Sequence, residues 1–435
     1  MKLRKLSTAV LAVLMCFSAV EGCSPTPGNG ETSSSGRATI RLATWAGSEE
    51  SKELQKIIDK LNSKSTSYKI VQESNPADYD TRIKTQLSGS SGPDVFWVSA
   101  QNASQLATRG AMLDITDYLK KSSNEAAKTS DYIGTTLNTF TVNNKIYGLP
   151  WCEQPVIMYY NKDLFDKLKV AEPTDSWDWN TFVEDAKKLT IDKNGKHYGE
   201  SGFNKSQIVQ WGTSLNGWPP VQMFIWQNNG DVISEDMKNC PIDTKEAIGG
   251  FKFYANLLNS PLVPTQQEIK DHGFDQMFKD GQVAMFMGGA ADSLETQVKF
   301  NCEVSVVPAG PTGTKATFGD EDGMAINANT KNKDEAFKAF IDLTEAIQEW
   351  KVMPPRKSMN SLTVLDKQHL NRAKSMPEIE KSMSFARQYR YYDNYADWDD
   401  IFNKEIMDKI INGNDTNVES LVKSAKADLV SKLKK

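Results

Sequence analysis

An α/β protein built on a parallel sheet covered on both faces is what this sequence predicts, and three observations predict it. The ordered part opens with strand, helix, strand, helix, strand, an alternation that favours parallel pairing with helices on either side. Its 435 residues suggest two or three compact units. With 39% hydrophobic and 25% charged residues, the composition excludes both a multispan membrane protein and a disordered polymer.

The alternation can be read residue by residue. Thr39 to Trp45 is an alternating strand, followed by a helix with Leu54, Ile57, Ile58 and Leu61 on one apolar stripe. A strand from Tyr68 to Val71, a helical stretch around Tyr79 to Leu87 and an apolar strand from Asp94 to Val98 complete the opening. In such sheets ligands bind beyond the carboxyl ends of the strands, which here means Trp45 and the loop Ser99-Ala100-Gln101-Asn102. A second unit begins near Lys145 to Trp151. Trp179 to Leu189 reads as a helix with Phe182, Val183, Ala186 and Leu189 inward. Asp192-Lys193-Asn194-Gly195-Lys196 is a hairpin turn and not a calcium loop, because Phe203 holds the place of the distal glutamate. Val283 to Met287 and Val304 to Val307 are compact strands. The last third is helical, with Phe337, Phe340, Ile341 and Thr344 forming one stripe and Val418, Leu421, Val422, Ala425 and Leu429 another. Thr416 and Glu419 have the spacing of a capping box for that final helix. No internal repeat of solenoid or propeller length is present.

At the amino end, Lys2, Arg4 and Lys5 precede an apolar run from Leu6 to Val20, long enough for an export signal and short of a bilayer span. Residues 24–36 then offer no apolar side chain to bury and read as a flexible tether. Val20-Glu21-Gly22-Cys23 resembles a lipoprotein processing site, which implies lipidation of Cys23 and a signal peptide of residues 1–22. Glu21 departs from the small or apolar residue usual two places before the cysteine, and simple secretion with cleavage within 19–24 is the alternative. Removing residues 1–22 takes three positive charges and Glu21, leaving an acidic mature chain of about −7 from the −5 of the whole. That balance argues against binding nucleic acid phosphates.

Three histidines, His197, His272 and His369, are scattered, so a His-based metal centre or acid/base catalyst is not expected; neither is any cofactor. The mature body keeps Cys152, Cys240 and Cys302, read as buried apolar residues, with a Cys240 to Cys302 pairing left open. Ten tryptophans are the stronger lead. Trp45, Trp151, Trp211 and Trp218 lie at a strand end or among Gly, Pro, Asn and Gln, where an indole can pack on the C–H face of a sugar while polar neighbours meet its hydroxyls. Trp226 is a weaker candidate. Trp97 is assigned to a buried strand, and Trp177, Trp179 and Trp350 to packing.

Four blocks in order carry a family resemblance over nearly all of the mature chain. Tyr159-Tyr160-Asn161-Lys162-Asp163-Leu164-Phe165, continuing to Glu172-Pro173-Thr174 with Trp177 and Phe182, resembles "YYNKDLF…PTTWDEF" of the extracellular solute-binding proteins of bacterial ABC transporters, in the carbohydrate-binding group related to maltose-binding protein. Gly92-Pro93-Asp94-Val95, Phe278 to Met285, and Val307 to Pro311 with Lys331 to Phe337 resemble three further blocks. The resemblance implies a two-lobed periplasmic-binding-protein-like fold with three interlobe crossings, near Pro150 to Glu153, Gly319 to Gly323 and Pro354 to Arg356. It divides the chain into an N-terminal lobe of residues 37–150 plus 323–353 and a C-terminal lobe of 151–320 plus 356–435. It implies a monomer that closes on its ligand by hinge motion, an ABC transporter permease as partner, and anchorage to the outer face of the cytoplasmic membrane through lipid on Cys23.

Carried over residue by residue, the cleft segments contain Trp45, Gln101, Trp151, Glu153, Gln154, Trp218, Asp320, Asp322 and Arg356. Where the family often has a Gly-x-Trp platform this chain reads Gly288-Gly289-Ala290-Ala291-Asp292, so Asp292 is expected to take sugar hydroxyls instead. Tyr395 and Trp398 are weaker cleft candidates, and Tyr389, Tyr391 and Tyr392 are read as packing or aromatic rim. The function expected is capture of a sugar or oligosaccharide without catalysis. A secreted glycoside hydrolase and a receptor for peptide, polyamine or metal are the alternatives.

Overall fold

The computed structural model describes residues 36–75, 79–89, 91–132, 134–348, 350, 354–359, 372, 374–392, 394–413 and 417–433. The leader, Cys23, most of the tether and His369 lie outside them.

The first strand, Ala38–Thr44, pairs in parallel with Tyr68–Ser74 on one side and Val95–Ser99 on the other, as the opening alternation requires. Helix Ser48–Lys64 buries Leu54 and Ile58 against this sheet, with Ile57 and Leu61 packed at the edge of the same core. The parallel run is interrupted there and resumes between Ile208–Thr213 and Val283–Gly289 and between Thr317–Ile326 and Ala386–Arg387. Thr317–Ile326 joins Val95–Ser99 antiparallel, so the ten-stranded sheet that runs through the molecule is mixed.

Two long strands carry that sheet from one lobe to the other. The outgoing strand, Gly148–Asn161, and the return strand, Thr317–Ile326, pair antiparallel with Gly319 opposite Pro155, Glu321 opposite Glu153 and Asp322 opposite Cys152. At one end Leu149, Trp151, Cys152 and Met324 to Ile326 belong to the N-terminal core. At the other, Val156, Met158 and Tyr160 enter one C-terminal core while Ile157 and Tyr159 enter a second. This period of two explains why the strand reads as a continuous apolar run there: both its faces are covered. Gly323 follows a register shift at Asp322. A Cβ at Gly323 would lie 2.2 Å from the Phe140 ring, so the close approach requires glycine.

The third passage falls later than expected. Trp350 is still packed with Trp97 and Trp151, and Arg356 is bound to Asp131 of the N-terminal lobe, whereas Arg372 pairs with Glu295 of the C-terminal lobe. Arg356 therefore stands with the N-terminal lobe and Arg372 with the C-terminal lobe.

Of the local expectations, the capping box of the final helix meets a different outcome, the open cysteine pairing is not formed, and the Asp192 hairpin is as expected. The final helix, Val418–Ser431, buries the expected stripe, yet Glu419 pairs with Lys423 and the N-cap is Asn417; Thr416 lies outside the described residues. Cys240 and Cys302 are free thiols, one inside the large C-terminal core and the other at the edge of strand Cys302–Ser305. The Asp192 turn is a hairpin, with Ile191 bridging to His197 and the Asp192 carboxylate accepting backbone N–H bonds from Asn194, Lys196 and Asn204.

Candidate binding cleft

Between the lobes lies a cavity of about 750 Å³. The N-terminal lobe supplies Trp45 at the end of the first strand, Tyr79 and Asp80 at the start of helix Tyr79–Ser88, and Ser99 to Gln101 where the third strand becomes a helix. These are the carboxyl ends of parallel strands and the helix starts that follow them. The C-terminal lobe supplies Trp218, Gln222, Phe318, Tyr389, Tyr391, Asp399, Phe402 and Asn403, and the return strand adds Asp320 and Asp322. Alternation along that strand sets the roles: Asp320 and Asp322 face the cavity, and Glu321 between them points away.

The aromatic walls are held edge to face. Trp45 meets Tyr79 at 5.2 Å and 81° and Trp97 at 5.0 Å and 66° between ring centroids and planes. Tyr79 is fixed by donating from its hydroxyl to the Trp97 carbonyl at 2.9 Å. Across the cavity Trp218 stands on Phe318 at 5.5 Å and 86°, and Phe318 packs on Tyr389 at 4.7 Å. Such ring pairs prefer these angles because the positive edge of one meets the negative face of the other.

The polar lining is acidic. Among the described residues, none of the side chains lining the cavity is Lys, Arg or His. Burial pushes Asp320 up to about 6. Burial, and then repulsion from Asp320, Glu50, Asp80 and Glu321, pushes Asp322 well above the carboxylate range. Burial also raises Asp399 to about 6, eased by hydrogen bonds from Tyr395 and Asn403. Gln101 donates to Asp80 at 3.2 Å.

Of the residues expected at the site, Trp45, Gln101, Trp218, Asp320 and Asp322 come together here. The others do not line it. Trp151 is 3% exposed and stacks on Trp350 at 6.2 Å and 14°. Trp226 is buried beneath the Arg387 guanidinium and donates to Asp231 at 3.2 Å. Trp398 is fully buried, stacked on Phe402; it precedes Asp399 by one residue and so lies about 100° round the helix from it. Arg356 is spent on Asp131 at 3.0 Å. Asp292 accepts from the Gly289 amide at 2.9 Å, closing the turn after strand Val283–Gly289, and Gln154 accepts from the Ala291 amide at 2.9 Å. Glu153 lies with Glu321 on the other face of the ribbon.

Sequence reasoning assigned Tyr389 and Tyr391 to packing or rim, and they form a wall. It missed Asp399 and Asn403, although their i, i+4 spacing on a helical run beside Phe402 was a usable signal.

Two lobes joined by a shared strand pair, with the cavity between them, define the class of two-lobed α/β binding proteins. Residues 45–343 match the family described as bacterial extracellular solute-binding protein, and the chain belongs to that family, an exported one. The chain is 29% identical over 226 residues to a provisionally named binding protein of Brucella abortus, covering 51% of each chain. It is 25% identical over 261 residues to the maltodextrin-binding protein MdxE of Bacillus subtilis, covering 58% of this chain and 57% of that one. The chain thus spans about half the length of the curated relatives it matches. In fold it is similar to the ABC substrate-binding protein Lmo0181 of Listeria monocytogenes in complex with cycloalternan, with a TM-score of 0.79 at 23% identity over 91% of this chain and 98% of that one. The Thermus thermophilus maltotriose-binding protein with maltotriose gives 0.70 at 19%, over 90% and 99%.

Proposed function

We propose that this protein captures an oligosaccharide in the interlobe cavity and delivers it to an ABC transporter permease, without chemical change to the sugar. The observation that carries the reading is the pair of opposed aromatic walls, Trp45 with Tyr79 on one lobe and Trp218 with Phe318 and Tyr389 on the other, with carboxylates and amides between them. Rings can cover the C–H faces of successive sugar units while Asp80, Asp320, Asp322, Gln101, Gln222 and Asn403 take the hydroxyls. Closure of the lobes about the two strands and the third passage removes the ligand from water. The N-terminal lobe is 37–152 plus 323–356 and the C-terminal lobe 153–320 plus the segment from Arg372 onward. Lipid on Cys23 holds the monomeric receptor at the outer face of the membrane, and both lobes of the closed form are read by the permease. The relatives' sugar ligands support this reading.

The test is a panel of neutral and amino-sugar oligosaccharides, read by thermal shift and tryptophan fluorescence, followed by chromatography of the recovered sugar. A ligand that binds only the folded state raises its apparent stability by RT ln(1 + [L]/Kd). Binding with the sugar recovered intact is expected. Shorter products would make the protein a hydrolase, and a protein indifferent to every glycan on the panel would not be a sugar receptor.

A further inference from the structure

The polar side of the cavity is dominated by carboxylates; the cation beside it is Lys84, one turn after Asp80, which lines an adjoining recess shared with Asp80 and Asp399 and leaves Asp320 and Asp322 to the main cavity. Asp320 and Asp322 stand on one strand, Asp80 opens a helix of the N-terminal lobe and Asp399 lies on a helix of the C-terminal lobe, so carboxylates reach the space from three directions. Among the described residues, the side chains that hydrogen-bond them are neutral: Gln101 donates to Asp80, and Tyr395 and Asn403 to Asp399. Burial first, and then the charges of Asp320, Glu50, Asp80 and Glu321, disfavour ionisation of Asp322. Hydroxyls of a neutral sugar could hydrogen-bond to these oxygens, but on closure the carboxyls would then have to take up protons at a cost that grows with pH, whereas a cationic ligand supplies the counter-charge directly. A bare metal ion does not fit either, because among the described residues no group of three or more His, Cys, Asp or Glu is placed to hold one. The carboxylates are dispersed along the walls and interleaved with Trp45, Trp218, Tyr389 and Tyr391, whose ring faces also attract cations.

Building on the proposed function, we infer that the ligand is a glycan carrying protonated amino groups: an oligosaccharide with amino-sugar units. The sugar faces lie on the indoles and phenols, and the ammonium groups meet Asp320, Asp322, Asp80 and Asp399. A polyamine supplies the charge without faces for the opposed rings; a neutral maltodextrin supplies the faces without the charge.

Glucosamine trimer, its fully N-acetylated counterpart, maltotriose and spermidine form a matched set of probes, with Kd measured calorimetrically at low salt and again at 0.5 M sodium chloride. The glucosamine trimer should bind at least tenfold tighter than the acetylated trimer and lose most of that advantage at high salt. In Asp322→Asn and in Asp320→Asn the ratio of the two affinities should fall at least fivefold, with thermal unfolding confirming that each variant is folded. Equal affinity for the two trimers, preference for the acetylated trimer or for maltotriose, or binding of spermidine alone would each overturn the inference. Preference for a neutral sugar would leave the receptor reading intact, whereas silence toward all three sugars would remove both.

Discussion

Glu153 and Glu321 are register partners across the two strands that join the lobes, both buried, with the Glu153 Oε2 atom lacking any hydrogen-bond partner among the described residues. Thr139 donates to Glu321 at 2.6 Å and Gln388 donates to its other oxygen, so residues from both lobes meet on this one side chain. Burial and then the Glu321 charge push Glu153 up to about 8; burial pushes Glu321 up to about 7, opposed by the bonds from Thr139 and Gln388. A carboxyl pair of this kind is stable in the fold when at least one member keeps its proton.

A pH dependence of stability follows. Both groups titrate higher folded than unfolded, so their contribution is complete below the ordinary glutamate range near 4.5 and is lost as pH rises toward 7 and 8. Asp320 and Asp399 act in the same direction, being raised to about 6. Melting temperature should therefore fall between pH 5 and pH 8. Glu153→Gln should raise it by roughly 2–4 °C at pH 8, the equivalent of about 1 kcal/mol in a domain of this size, and flatten the profile. A variant less stable than the parent at pH 8 would refute the pairing.

The cavity indoles and the buried indoles should separate in a binding experiment. Trp45→Ala and Trp218→Ala each remove a wall and should weaken oligosaccharide affinity roughly 10- to 100-fold. Trp151→Phe, in the stack with Trp97 and Trp350, should change affinity less than twofold while lowering thermal stability. The reverse order would place the ligand elsewhere.

Arg356 provides a second separation. Its guanidinium is bound to Asp131, which also accepts from the Ser358 hydroxyl and amide, so this cluster holds the start of the third passage to the N-terminal lobe. Arg356→Ala should cost about 1.5–3 kcal/mol of stability, typical of hydrogen bonds to charged groups. Sugar affinity, measured by calorimetry well below the melting temperature, should stay within twofold of the parent. A large loss of affinity with unchanged stability would restore Arg356 to the site.

Gly323 tests the waist itself. Gly323→Ala places a methyl group against Phe140 and should destabilise by about 1–3 kcal/mol through overpacking. Adding Phe140→Leu should recover part of that loss in a chemical denaturation series; no recovery would mean that the cost lies in the bulge geometry and not in the ring.

Periodicity is a local property, which is why the sequence disclosed so much of the secondary structure: the Leu54, Phe337 and Leu421 stripes and the alternating opening strand each report a face that must be buried, wherever that burial occurs. The leader, the acidic balance and the ordered family blocks likewise need no coordinates. What the chain could not disclose is which tryptophans meet solvent. Trp45 and Trp151 both sit at strand ends in sequence, yet Trp350, distant in the chain, stacks over Trp151 and leaves Trp45 at the cavity. The same holds for the acids, since Asp320, Asp322 and Asp399 become one charged wall only when the return strand and a helix nearly eighty residues after Asp320 are brought together. Burial and charge repulsion act through space, and that arrangement exists only in the tertiary fold.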